Sequence, residues 1–144
     1  QVLAQDCTDE SKFLVLMKTN REGHKGINIK VADIDVDIYQ RQDNVVLEVN
    51  GHEIPLASLP YNSHEALVNI YKKGNGVSVS AYKHGLTEVY FAKDIIEIKV
   101  ADYMRGKTCG VCGKADGEVR QGFRSSNGRV SSNGISFAHS WVLS

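Results

Sequence analysis

The chain has 144 residues, enough for one domain of roughly 100–200 residues with a real core and too few for two of ordinary size. Lys plus Arg and Asp plus Glu number 17 each, so the whole chain lacks the basic excess that nucleic-acid binding or a polybasic membrane contact draws on. Hydrophobic residues at 42% and charged residues at 24% exclude a disordered or collagen-like chain, and no apolar run approaches the roughly 18–20 residues of a spanning helix. Gln1 begins no signal peptide, so the expectation is a mature or processed segment.

Val and Ile total 26 against 18 for Ala and Leu, and β-branched side chains favour a pleated surface over a helix. An all-β fold is therefore expected. Phe13-Leu14-Val15-Leu16-Met17 is a continuous apolar run that reads as a strand covered on both faces. Ile27 to Val31 and Ile34 to Ile38 alternate apolar and polar residues, with Ala32 and Asp33 marking a bend or bulge between them. Val45, Leu47 and Val49 alternate into Asn50-Gly51, a hairpin signal because both residues tolerate positive φ, and Glu53 to Leu56 returns with Pro55 suited to an edge.

The same grammar continues from Leu67 to Tyr71, through Gly74-Asn75-Gly76, into Val77, Val79 and Ala81. After a turn at Lys83-His84-Gly85, Glu88 to Phe91 and Ile95 to Val100 bring the total to about eight or nine strands at spacings of roughly 8–12 residues, the pattern of a sandwich or barrel. Residues 101–144 carry six Arg or Lys against three acids, so this tail is +3 and the body −3. It also holds two of the three cysteines and the only Trp, and is expected to be a loop-rich cap anchored by Phe137 and Trp141.

Few residues carry chemistry. Cys109-Gly110-Val111-Cys112 is a CxxC near Lys107 and Lys114, open to a redox role or a structural disulfide, though the strand-rich context is unlike that of a thioredoxin. Three cysteines cannot make a four-thiolate zinc site. His24, His52, His64, His84 and His139 stand singly, without the spacing of a metal motif. Asp33, Asp35 and Asp37 project from one strand face and could attract a cation, but a solvated sheet face explains them as well. No nucleophile elbow, phosphate loop or dinucleotide fingerprint is present, so neither an enzyme nor a cofactor is implied. Arg120, Arg124 and Arg129 are the candidate anion-binding residues, suited to phosphates or microbial surface polyanions.

The tail carries a resemblance more specific than any of these. Thr108-Cys109-Gly110-Val111-Cys112-Gly113-Lys114-Ala115-Asp116-Gly117-Glu118 and the closing Ser136-Phe137-Ala138-His139-Ser140-Trp141 resemble the C-terminal von Willebrand factor type D domain of vertebrate vitellogenins. The opening Gln1 to Cys7 and the stretch from Val49 to Pro55 fit the same family, so the resemblance spans essentially residues 1–144 as one domain. It implies an antiparallel β-sandwich-like fold with a disulfide-tied C-terminal cap. A free-standing chain of this size resembles the yolk β′-component, which implies proteolytic release from a secreted plasma precursor, contact with the other precursor domains before cleavage, and storage in the oocyte as a nutrient reserve. The rival readings are a binding module for microbial polyanions and a CxxC thiol-disulfide aid to assembly.

The resemblance further implies a strand and a cysteine upstream of Gln1, with an exposed edge where that strand is missing. It implies a disulfide between Cys7 and Cys109, leaving Cys112 as a free thiol or as the link of a covalent homodimer, whereas a closed Cys109–Cys112 ring is the alternative pairing. Calcium-binding type D domains place Asn and Asp after the Cys-Gly-x-Cys-Gly core, but here Lys114 stands first, and Asp116 with Glu118 supply few oxygens, so no tight calcium site is expected.

Overall fold

A computed structural model of the chain describes residues 1–93 and 95–110 together with the backbone of 135–140. In chain order the strands are β1 (Val2–Asp6), β2 (Phe13–Thr19), β3 (Lys25–Val31), β4 (Ile34–Arg41), β5 (Asn44–Val49), β6 (His52–Ile54), β7 (Tyr61–Asn62), β8 (Asn69–Lys73), β9 (Gly76–Ala81), β10 (Leu86–Ala92), β11 (Ile95–Val100), β12 (Thr108–Cys109) and β13 (Ile135–Ser140). Short 3-10 turns at Leu56–Ser58, His64–Ala66, Tyr82–His84 and Asp102–Met104 link them. The strands form two antiparallel sheets. Sheet A has the order β12-β1-β2-β3-β4-β5-β6 and sheet B the order β13-β11-β10-β9-β8-β7.

Period-2 alternation explains how the sheets face each other. Phe13, Val15, Ile27, Ile29, Val36, Ile38, Leu47 and Val49 of sheet A meet Ile70, Val77, Val79, Val89, Phe91, Ile96 and Ile98 of sheet B in one apolar cluster. Each buried Val, Ile or Phe side chain contributes about 1.5–3 kcal/mol, so this layer is the dominant stabilising term. The long strands match the alternating runs of the sequence. β7 and β12 have two residues each and show no period at all, and a bulge between Val2 and Ala4 hides the alternation of β1.

Three local expectations need correction. Ala32 and Asp33 are the two-residue turn of a hairpin, since Val31 pairs with Ile34, and the bulges lie instead in β1 and between Leu86 and Glu88 of β10. Ala32 takes φ 53°, Gln42 56° and Asn50 51° at the first central positions of three such turns, the left-handed geometry that matches strand twist. β2 is covered on one face only: Phe13 and Val15 are buried, whereas Leu14 and Leu16 are half-buried on the outer face of sheet A. The tail is more than loop, because residues 135–140 pair with the whole of β11, from Val100↔Ile135 to Ile95↔Ser140.

Candidate functional site at the disulfide-tied edge

Sheet A closes where the chain's beginning meets residues about a hundred positions later. Gln5 pairs with Cys109 and Asp6 with Thr108, and the Cys7 amide donates to the Lys107 carbonyl at 2.9 Å. The Cys7 and Cys109 sulfurs are bonded across this seam, with Cα atoms 6.0 Å apart and 102 positions of sequence between them. That Cα distance lies within the ordinary disulfide range, and a loop of this length loses about 4–5 kcal/mol of unfolded-state entropy by the loop-closure argument. Gly110 follows at φ +123°, and a Cβ there would stand 2.7 Å from the Leu3 carbonyl oxygen, so only glycine lets the chain leave this close to β1.

Asp6 braces the same edge. Its buried carboxylate accepts the Thr8 amide at 3.0 Å, the Thr8 hydroxyl at 2.7 Å and the Lys12 amide at 2.8 Å, which folds residues 7–12 into a tight loop. Burial pushes this carboxyl up, but the hydrogen bonds from Lys12 and Thr8 outweigh it, so its pKa is lowered. Cys112, Arg120, Arg124 and Arg129 lie outside the described residues, as do Lys114, Asp116, Glu118 and Trp141 and the side chain of Phe137.

The outer face of sheet B holds a charged cluster that hydrophobic patterning did not single out. Glu88 on β10 has a side chain only 8% exposed and receives Lys73 of β8 at 3.0 Å, Lys99 of β11 at 3.3 Å, the Tyr71 hydroxyl at 3.3 Å and the Ser78 hydroxyl of β9. One carboxylate thus ties four strands. Burial raises its pKa, but Ser78, Lys73 and Lys99 overcome that and hold it at about 2. The sequence signal was present in the polar positions Ser78, Glu88 and Lys99, which fall on the face opposite the core.

On the outer face of sheet A the charges are paired more openly. Asp37 takes Lys18 at 3.0 Å and Asp35 takes Lys30 at 3.1 Å, while the buried Asn28 amide donates to both carboxylates. Asp35 is pushed up by burial, yet Asn28 and Lys30 lower its pKa overall. Asp33 sits in the hairpin turn, so the structure does not bring the three aspartates to one point. Beside them, a cleft of about 360 Å³ runs along the β2–β3 turn, where the His24 ring stacks parallel on Tyr39 and the Tyr39 hydroxyl donates to Glu48 at 3.0 Å. His52, His64 and His84 lie at a strand end or in 3-10 turns, far from any shared site in sequence or pairing. Among the described residues no three His, Cys, Asp or Glu side chains are grouped to hold a metal ion, and no helix is long and apolar enough to cross a membrane.

The described geometry provides cross-ties: a covalent one on sheet A and an ionic one on sheet B. Against known proteins, the von Willebrand factor type D domain pattern matches residues 1–129. A vitellogenin of Oncorhynchus mykiss is 52% identical over 144 residues, covering 99% of this chain and 9% of its own length. Vitellogenin-2 of Fundulus heteroclitus is also 52% identical, again over 99% of this chain and over 8% of its own. A vitellogenin of Takifugu pardalis is 45% identical over 130 residues, which are 90% of this chain and 57% of that protein. The chain therefore spans less than a tenth of the first two relatives.

Proposed function

Because the chain belongs to the von Willebrand factor type D domain family, we propose that it is a segment of a vitellogenin-type precursor and serves as a secreted yolk nutrient reserve rather than as an enzyme. The observation that carries this reading is identity of about half to proteins named vitellogenin along almost the whole chain, with no large gap where a different domain would begin. A reserve protein needs solubility, survival outside the cell and amino acids, and a disulfide-stapled β-sandwich supplies the second of these. The yolk assignment itself comes from the relatives and not from the fold, which supports many functions.

Targeted mass spectrometry tests it through the tryptic peptide 31–41. The expected result is that this peptide runs within a large polypeptide in the plasma of egg-laying females, within a small one in yolk, and declines as embryos consume the yolk. A yolk level that stays constant through development, or a peptide confined to somatic cells, overturns the reading. On the same reading Cys112 is left over, as a thiol or as a link between chains. Alkylation without reduction then labels one cysteine per monomer, in peptide 108–114, while that peptide stays joined to 1–12; a monomer with no alkylable cysteine refutes the free thiol.

A further inference from the structure

At the end of the sandwich near the stapled seam, two tyrosines are exposed and in contact. Tyr82 belongs to the turn between β9 and β10 and is 59% exposed; Tyr103 belongs to the turn after β11 and is 43% exposed. Their rings meet edge to face, with centroids 6.0 Å apart and planes at 82°. The backbone fixes this meeting. The Tyr82 carbonyl accepts both the Gly85 amide at 2.9 Å and the Tyr103 hydroxyl at 2.7 Å, and the Ala101 amide donates to the Gly85 carbonyl at 2.9 Å. The Lys12 ammonium stands 5.9 Å from the centre of the Tyr103 ring and is paired with Glu10.

The chain has six tyrosines, all at described positions, and this is the one tyrosine–tyrosine ring contact among the described residues. The others are differently placed. Tyr39 is 6% exposed with its hydroxyl on Glu48, and the Tyr71 hydroxyl is held by Glu88 on the outer face of sheet B. A phenol needs a second phenol within reach before one-electron oxidation can end in a carbon–carbon bond, and these two rings already stand in contact.

We propose that Tyr82 and Tyr103 are a site of oxidative dityrosine cross-linking within the chain, with hydrogen peroxide used by a haem peroxidase as the oxidant. Each phenol gives up one electron and one proton, the two phenoxyl radicals join through ring carbons ortho to the oxygens, and the hydrogens on those carbons move to the oxygens to restore both rings. One peroxide takes up the two electrons and two protons and leaves as two waters, so the chain loses two hydrogen atoms per cross-link. Tethered partners see an effective concentration on the order of millimolar, against about 10 µM for a neighbouring molecule in dilute solution. Coupling inside the chain therefore outruns coupling between chains by roughly a hundredfold.

The experiment treats the folded, disulfide-intact protein with horseradish-type peroxidase and hydrogen peroxide at about 10 µM protein, a concentration chosen to keep chains apart. Dityrosine fluorescence should appear in the monomer fraction, and tryptic mapping should find peptides 74–83 and 100–105 joined, lighter by two hydrogen atoms than their sum. Tyr82→Phe and Tyr103→Phe should each cut monomer dityrosine at least tenfold, and Tyr71→Phe should leave it unchanged. Tyr82→Phe removes an exposed hydroxyl and Tyr103→Phe a hydroxyl with its bond to the Tyr82 carbonyl, and a cooperative melt of each confirms that it is folded. Dityrosine found only in dimers, a different peptide pair in the monomer, equal yield from Tyr82→Phe, or no dityrosine at all each overturns the proposal. None of these outcomes bears on the yolk reading, which rests on where the protein is found.

Discussion

The two sheets are cross-tied by different chemistry. Sheet A is closed by a covalent bond between residues 102 positions apart, whereas sheet B is gathered by one carboxylate that reaches two lysines, a serine and a tyrosine on neighbouring strands. The first tie answers to reductant and ignores acid; the second ignores reductant and answers to acid. In a domain held in both ways, reductant alone or acid alone acts on only one of the two ties.

The covalent tie should give the largest effect. Replacing Cys7 and Cys109 together by serine removes the closure of a loop of about 100 residues, and the expected loss is up to about 4–5 kcal/mol of unfolding free energy, read as a lower urea midpoint. Dithiothreitol should lower the midpoint of the natural chain and leave that of the double variant where it is. Equal sensitivity of the two to reductant would mean that the bond contributes nothing at the seam.

Next comes the ionic tie. Glu88→Gln removes the charge but not the shape, and leaves Lys73 and Lys99 facing a neutral amide, at a cost of roughly 2–3 kcal/mol near pH 7. The Glu88 pKa is depressed from 4.5 to about 2, so its contribution is present above pH 4.5 and is lost as the pH falls through about 2. Denaturation curves at several pH values should therefore show natural and variant chains converging in strong acid. A gap that stays constant from neutral pH to pH 2 breaks the contrast between the sheets.

Smaller effects belong to the hairpin turns of sheet A. Asn50 stands at φ 51° and its side chain accepts the Asp35 amide at 2.8 Å, so Asn50→Ala loses that bond and strains the turn, at an expected cost of about 1–2 kcal/mol. Ala32 occupies the same left-handed region without a side chain suited to it. Ala32→Gly should raise stability by about 0.5–1 kcal/mol, and a lower melting temperature would show that the strain is absorbed elsewhere.

What the sequence revealed about these features follows from their range. Ile27, Ile29, Val36 and Ile38 announced their strands because a strand with one buried face must alternate. Asn50-Gly51 announced its turn because few other residues accept that backbone, whereas Ala32 hid one for the converse reason. Glu88 was legible as a polar strand residue but not as the centre of a cluster, since Lys73, Ser78 and Lys99 meet it only once three pairings set their registers. β12 has two residues and exists only because β1 is beside it, a relation that no local pattern encodes.

The spacing of the seam also orders events in time. Strands β2 to β6 and β8 to β11 each pair with the strand next in the chain, so both meanders can zip as they emerge during synthesis. Cys109, 102 positions behind Cys7, leaves the ribosome about 5–20 s later at the usual elongation rate. A hairpin forms in about 1–10 µs, so the hairpins from β2 to β6 and from β8 to β11 can each close as they emerge, the Cys7 thiol waits seconds for its partner, and β13 joins sheet B only after Cys109 has arrived.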